Sequence, residues 1–89
     1  MPCIVFTPQL RRFVDAPDFS CEAATLREAL DLAFEAHPRL GAYVLDEQGH
    51  LRANVVVFID GRTVRERRQL AQPLTPGAVI HVMQALSGG

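Results

Sequence analysis

The chain has 89 residues, of which 48% are hydrophobic and 21% charged, and its formal net charge is −1. This length accommodates one compact domain with a modest core and excludes two. The charge balance argues against nucleic acid and a membrane surface as partners, and the longest apolar run, Val55–Ile59, is too short to span a bilayer. Because the N-terminus also lacks the features of a secretion signal, we expect a cytoplasmic protein.

The first twenty residues predict a β-hairpin and a loop. Residues 3–7 are rich in strand formers, residues 10–14 form a candidate returning strand, and residues 15–20 have the polar composition of a loop. Cys3 and Cys21 match no metal-ligand spacing, so free thiols are expected.

A helix is predicted to begin at Leu26 and to end near His37, just before Pro38. The segment Thr25-Leu26-Arg27-Glu28 fits a capping box, in which the threonine hydroxyl accepts from an early helical N–H and the glutamate reaches back to the cap. The apolar residues that follow have helical spacing and indicate one face packed against a sheet. These residues are Leu26, Ala29, Leu30, Ala33 and Phe34.

The second half of the chain predicts further strands. Residues 40–45 look extended and residues 46–49 form a turn, so residues 40–54 are interpreted as a short edge strand or an irregular excursion. Val55–Ile59 is a central strand, Asp60-Gly61 is a hairpin turn, and residues 62–64 begin the return. After a turn at residues 75–77, the last strand covers residues 78–85.

These elements predict an α+β fold: a β-grasp (ubiquitin-like) domain with a mixed sheet of four to five strands packed on one helix. The first and last strands are expected to run parallel at the centre of the sheet. Residues 1–85 then form the domain, and residues 86–89 form a flexible C-terminal Gly-Gly tail.

Strand alternation predicts an apolar surface on the side of the sheet away from the helix. In the last strand, Ile80 and Val82 should face the helix, so that His81, Met83 and Ala85 face away from it. We interpret this open side as a face for docking a partner, unless residues 40–45 or a loop cover it. Its predicted residues are Val56, Phe58, His81 and Met83, with Phe6 as a further candidate.

The tail Leu86-Ser87-Gly88-Gly89 suits chemistry at a terminal carboxyl group. A carboxylate is a poor electrophile, but adenylation would convert that of Gly89 into a mixed anhydride, and attack by sulfur would then leave a thiocarboxylate. Glycine permits close backbone approach, and four extended residues reach roughly 13 Å into a partner's active site.

Three segments resemble the ThiS/MoaD family of ubiquitin-like sulfur carriers, in the same order along the chain. They are residues 25–30, residues 55–62, and residues 74–77 together with 85–89. The resemblance implies a β-grasp carrier that is not itself an enzyme, binds no cofactor, and has Gly88 and Gly89 as its functional residues, preceded by Leu86 and Ser87. It also implies an adenylating enzyme that uses ATP and Mg²⁺, a sulfur donor, and a downstream synthase that accepts the sulfur.

Two other classes of function remain open at this stage. One is the small subunit of a two-protein synthase such as molybdopterin synthase, and the other is a ubiquitin-like modifier or binding module. The sequence supports no catalytic nucleophile–base pair, phosphate loop or metal site. It also leaves the sulfur acceptor open among thiamine, molybdopterin, cysteine and a specialised metabolite.

All nine basic residues are arginine, and the chain contains no lysine. This composition has two interpretations: protection of an activated carboxyl against self-acylation, or a bias in composition. In either case the chain cannot build lysine-linked chains on itself. A local basic cluster is either a solvated face or a docking site for an acidic partner. It consists of Arg62, Arg65, Arg67 and Arg68.

Overall fold

The structure, a computed structural model, describes residues 1–8 and 16–84. Within these residues the chain forms five strands and two helices. They are β1 (Cys3–Phe6), β2 (Phe19–Ser20), α1 (Leu26–Ala36), α2 (Pro38–Val44), β3 (Val55–Ile59), β4 (Arg62–Thr63) and β5 (Val79–Gln84). The predicted strand at residues 10–14 lies outside the described residues.

The strands form one mixed sheet in the order β2-β1-β5-β3-β4. β1 and β5 are parallel neighbours at its centre, whereas β5 pairs antiparallel with β3. The first and last strands of the chain are therefore neighbours in the middle of the sheet, with the start of β1 beside the start of β5. This topology is that of the β-grasp fold, which confirms the predicted fold class.

α1 begins and ends where the sequence predicts. The Thr25 hydroxyl accepts a hydrogen bond from the Glu28 N–H at 3.3 Å. The carboxylate of Glu28 in turn accepts from the N–H of Ala24 at 3.2 Å, one residue before the expected partner. Both bonds satisfy backbone donors near the helix start.

The prediction of one helix, with residues 40–45 extended, is wrong, because Pro38–Val44 is a second helix. Pro38 ends α1, yet it also suits the first turn of a helix, where its missing N–H is not needed. Leu40 and Val44 are both fully buried and lie one helical turn apart. The spacing of the buried residues therefore follows a helix and not a strand.

The turns are confirmed, whereas one loop is not. Asp60 and Gly61 both have positive φ, 50° and 84°, as expected for a two-residue turn of this hairpin. Gly49, with φ 81°, ends the predicted turn at residues 46–49. In contrast, the predicted loop at residues 15–20 contains Phe19–Ser20, which pairs antiparallel with β1.

The core lies between the helices and one side of the sheet. Side chains of α1, α2 and the three longest strands meet there. The largest fully buried ones are Ile4, Phe6, Leu26, Leu30, Leu40, Val44, Val55, Val57, Leu70, Ile80 and Val82. No helix within the described ranges has the length and apolar character needed to cross a membrane.

Candidate functional site

The last described strand, β5, lies in the middle of the sheet and ends at Gln84, two residues before the predicted tail begins at residue 86. β5 is hydrogen-bonded on both sides, to β1 and to β3, and its last residue Gln84 is the register partner of Val55. The strand is therefore held along its length up to this pair. The tail residues Leu86, Ser87, Gly88 and Gly89, and also Ala85, lie outside the described residues, so the predictions about them stay predictions.

The open side of the sheet carries four predicted docking residues in two cross-strand pairs. Val56 pairs with Met83, and Phe58 pairs with His81. Met83 and His81 are exposed, while Val56 and Phe58 are half-buried. We call these four residues the open-face patch. It lies on β3 and β5 and ends one residue before Gln84, so a protein bound to it would also be close to the start of the tail.

Phe6 does not belong to this patch. Its side chain is 1% exposed and lies in the core, because alternation along β1 sends Ile4 and Phe6 to the helix side. The half-buried residues Cys3 and Val5 occupy the open side of β1 instead. The prediction that Phe6 could lie on the open side is therefore wrong, because neighbouring residues of a strand face opposite sides of the sheet and Phe6 faces the helices.

Residues 40–45, which the sequence left as a possible cover of this face, pack on the opposite side of the sheet. Leu40 and Val44 of α2 join the core, and α2 packs against α1. Met83 keeps 41% of its surface exposed and Val79 keeps 36%, although both are large apolar residues. Exposed apolar surface of this kind is typical of sites where another protein binds.

The basic cluster divides into residues with different roles. Arg67 is half-buried, and its guanidinium donates to the carbonyl oxygens of Arg52 at 2.5 Å and Val55 at 2.6 Å. It therefore braces the start of β3, opposite the end of β5. Arg62, Arg65 and Arg68 are exposed.

Glu66, in the middle of the cluster, organises the backbone that follows it. Its carboxylate accepts from the N–H groups of Gln69 and Arg68, both at 2.8 Å, and from that of Leu70. These bonds, that of Gln69 foremost, hold the pKa of the Glu66 carboxyl below its usual value. They also support Leu70, a buried residue with an unusual φ of 58°.

The two cysteines are free thiols, as predicted. Cys21 is 6% exposed, and burial, together with the nearby Glu22 and Cys3, raises the pKa of its thiol. Its N–H donates to the Pro2 carbonyl at 3.0 Å, next to Cys3 on β1. Both thiols are thus at the N-terminal end of β1. In the described part of the chain, no group of three or more His, Cys, Asp or Glu residues is arranged to hold a metal ion.

The fold and the open-face patch define a small ubiquitin-like protein. The chain belongs to the ThiS family, whose model matches residues 4–89. No curated protein matches it.

Several solved structures share the fold over almost their whole length. SAMP1 from Haloferax volcanii has 22% identity and a TM-score of 0.78, with 99% of this chain and 98% of that chain covered. A chain of the Amycolatopsis orientalis BexX/CysO complex has 20% identity and a TM-score of 0.82, with both chains fully covered at 100%. CysO from Mycobacterium tuberculosis has 17% identity and a TM-score of 0.79, with 97% and 100% covered. At these identities the likeness establishes the fold.

Proposed function

We propose that this protein is a sulfur carrier whose C-terminal carboxyl group, that of Gly89, is adenylated by a partner enzyme and converted to a thiocarboxylate. The carrier is the cosubstrate of that enzyme and not itself a catalyst. The partner uses ATP and Mg²⁺, a sulfur donor supplies the sulfur, and a downstream synthase takes it up in a biosynthetic reaction.

The observation that carries this proposal is the extent of the family match. It continues through residues 85–88 to Gly89, so the Gly-Gly segment is part of what the ThiS family model matches. A physical reason for a separate tail is that β5 is fixed in the sheet, paired with β1 as far as Val82 and with β3 as far as Gln84. A rigid strand followed by a segment that ends in two glycines suits insertion of the terminal carboxyl group into a narrow active site.

The proposed reaction has two steps. The Gly89 carboxylate attacks the α-phosphate of ATP, which releases pyrophosphate and forms an acyl adenylate. Sulfide from the donor then attacks the acyl carbon, a C–S bond forms, and the C–O bond breaks as AMP leaves with that oxygen. The product retains one carboxyl oxygen and gains one sulfur.

We propose that the partner grips the open-face patch while it processes the tail. The patch is apolar at Val56, Phe58 and Met83, and apolar surface of this kind forms the centre of many protein interfaces. The Amycolatopsis orientalis structure is a complex of CysO with BexX, which supports the idea that proteins of this fold act bound to a partner.

Intact-mass analysis tests the proposal. The chain is incubated with ATP, Mg²⁺, a sulfur donor and the adenylating enzyme of the source organism. We expect the mass to rise by the difference between one sulfur and one oxygen, and deletion of Gly89 should abolish this rise. Ser87→Ala keeps the tail length and both glycines, so it should still be loaded.

Two results would refute the proposal: loading of the variant without Gly89, or no loading of the intact chain by an enzyme proven active on another carrier. A larger protein that stays bound to the loaded chain would instead favour the two-protein synthase. A stable conjugate to other proteins would favour the modifier.

A further inference from the structure

The nucleophilic side chains of this protein are unevenly distributed relative to the carboxyl group that is to be activated. An acyl adenylate reacts with amines and thiols, so any such group on the carrier competes with the incoming sulfur. The 89 residues include no lysine and two cysteines, and the remaining amine is the α-amino group of Met1, two residues before Cys3. Whether these groups can compete for the acyl group depends on where they lie relative to the C-terminal end of β5.

Both thiols lie at the end of the sheet where β5 begins, opposite to the end where it leads to the tail. β1 and β5 run parallel, and Cys3 is the register partner of Val79, the first residue of β5. Cys21 bonds through its N–H to Pro2 and lies at the same end. Gln84 is five residues further along β5 than Val79, a distance of about 17 Å at 3.3 Å per residue.

The thiols are also poorly available. Cys21 is buried, and its raised pKa keeps it in the less reactive protonated form. Cys3 is half-buried. Five extended residues, 85–89, reach at most about 17 Å, so the carboxyl group would approach Cys3 only with the tail drawn back along the whole sheet.

Around Gln84 the basic groups are guanidinium ions. Arg67 binds the carbonyl of Val55, the register partner of Gln84, and Arg52 lies three residues before Val55. A guanidinium stays protonated and is a poor nucleophile, in contrast to a lysine amine. His81 is the nearest nucleophilic side chain in β5, but an acyl-imidazole is labile and does not trap the acyl group.

We infer that the carrier is an obligate donor: its activated carboxyl group is captured only by nucleophiles of other molecules. The reason is that its own sheet keeps amines and thiols away from the C-terminal end of β5 at Gln84, which we call the exit of β5. This inference rests on the proposed activation of Gly89. It also restricts the alternative function as a protein modifier. A conjugate to another protein would carry single copies of this chain and not lysine-linked chains of it.

The chemistry shows what this arrangement prevents. When an amine attacks the acyl adenylate, a C–N bond forms, the acyl C–O bond breaks as AMP leaves with that oxygen, and the nitrogen loses a proton. The resulting amide is stable, so one such event removes the carrier from the transfer cycle permanently.

The test places one lysine at either end of β5. Met83 and Val79 are both exposed residues on the open side of the same strand, and they are four residues apart. Wild type, Met83→Lys and Val79→Lys are each prepared as a C-terminal thioester of Gly89 by thiol cleavage of an intein fusion. This activates the carboxyl group without any enzyme, and intact mass then distinguishes hydrolysis from a cyclic amide, which is lighter than the acid by one water.

We expect the wild-type thioester to disappear by hydrolysis alone. Met83→Lys should give the cyclic amide about fivefold faster than Val79→Lys, because the tail must reach about 13 Å further back along a fixed strand to meet the second amine. Circular dichroism checks the fold. If Met83→Lys is unfolded, Ala53→Lys replaces it, since Ala53 is exposed and lies two residues before Val55.

The inference would be overturned by a self-amide or a stable internal thioester in wild type, by equal cyclisation of the two lysine variants, or by no cyclisation near the exit. Failure of the proposed function is a separate result: an adenylating enzyme that ignores Gly89 would refute the carrier activity and leave these thioester rates unchanged.

Discussion

At the scale of single residues, arginine holds the irregular parts of the chain together. The half-buried guanidinium of Arg27 in α1 donates to the carbonyls of Gly49 at 2.7 Å, Arg68 at 2.6 Å and Gln69 at 3.3 Å. It thus joins the helix to two loops that are distant in sequence. The sequence gave no sign of these partners, because they are backbone carbonyls and have no side-chain signature.

Replacing Arg27 with lysine should destabilise the fold even though the charge is kept. A lysine ammonium is a compact donor on a single atom, whereas the planar guanidinium presents several donors in fixed directions. We expect Arg27→Lys to lower the free energy of unfolding by about 1–3 kcal/mol, measured by urea denaturation. The exposed Arg39→Lys in α2 is the control and should change it by less than about 0.5 kcal/mol. Equal stability of the two variants would show that the three carbonyl contacts contribute nothing.

At the scale of elements, α2 depends on close contact with α1. A β-carbon built on Gly41 would lie 3.2 Å from both Cβ and Cγ of Phe34. Any side chain at this position would therefore crowd Phe34 where the two helices meet. The sequence-based reading missed α2 because it read the apolar residues 40–45 as a strand, whereas Leu40 and Val44 are buried together on one helical face.

Filling the Gly41 position should separate the helices. We expect Gly41→Val to destabilise the protein by about 1–3 kcal/mol, since its branched side chain would overlap Phe34. Ala42→Val introduces the same side chain one residue later at an exposed position, and it should cost less than about 1 kcal/mol. Thermal and urea unfolding of both variants give the comparison. If Gly41→Val is no less stable than Ala42→Val, the contact between the helices is not tight.

At the scale of the whole molecule, the sheet has two sides with different tasks. One side packs against the helices and forms the core, while the other exposes Met83 and Val79. Since β5 forms part of both, it connects the stable core, the open-face patch and the start of the tail. This arrangement is the physical basis of the proposed function.

A charge on the open-face patch should impair activation without unfolding the protein. Met83 and Leu32 are exposed to 41% and 40%, the first on the open side of the sheet and the second on α1. We expect Met83→Glu to reduce kcat/KM for sulfur loading by at least about tenfold, as for a residue that contributes over 1 kcal/mol to docking. Leu32→Glu should load like wild type. Equal kinetics for Met83→Glu and wild type would exclude the patch as the docking site, and equal impairment of both variants would show that charge acts non-specifically.

The sequence by itself determined the elements that are specified locally. The Thr25–Glu28 capping motif fixed the start of α1, Asp60-Gly61 fixed the β3–β4 turn, and alternation placed His81 and Met83 opposite Ile80 and Val82. These signals involve residues within a few positions of one another, so a single sequence carries them.

Only the tertiary structure decided the features that depend on distant residues. Phe19–Ser20 becomes a strand because β1 offers it a partner, and Phe6 is buried because the register of the sheet turns it toward the core. Likewise, Cys3 lies far from the exit of β5 because β1 and β5 run parallel. Such placements arise from hydrogen bonding and packing across the whole chain, which no local pattern of residues encodes.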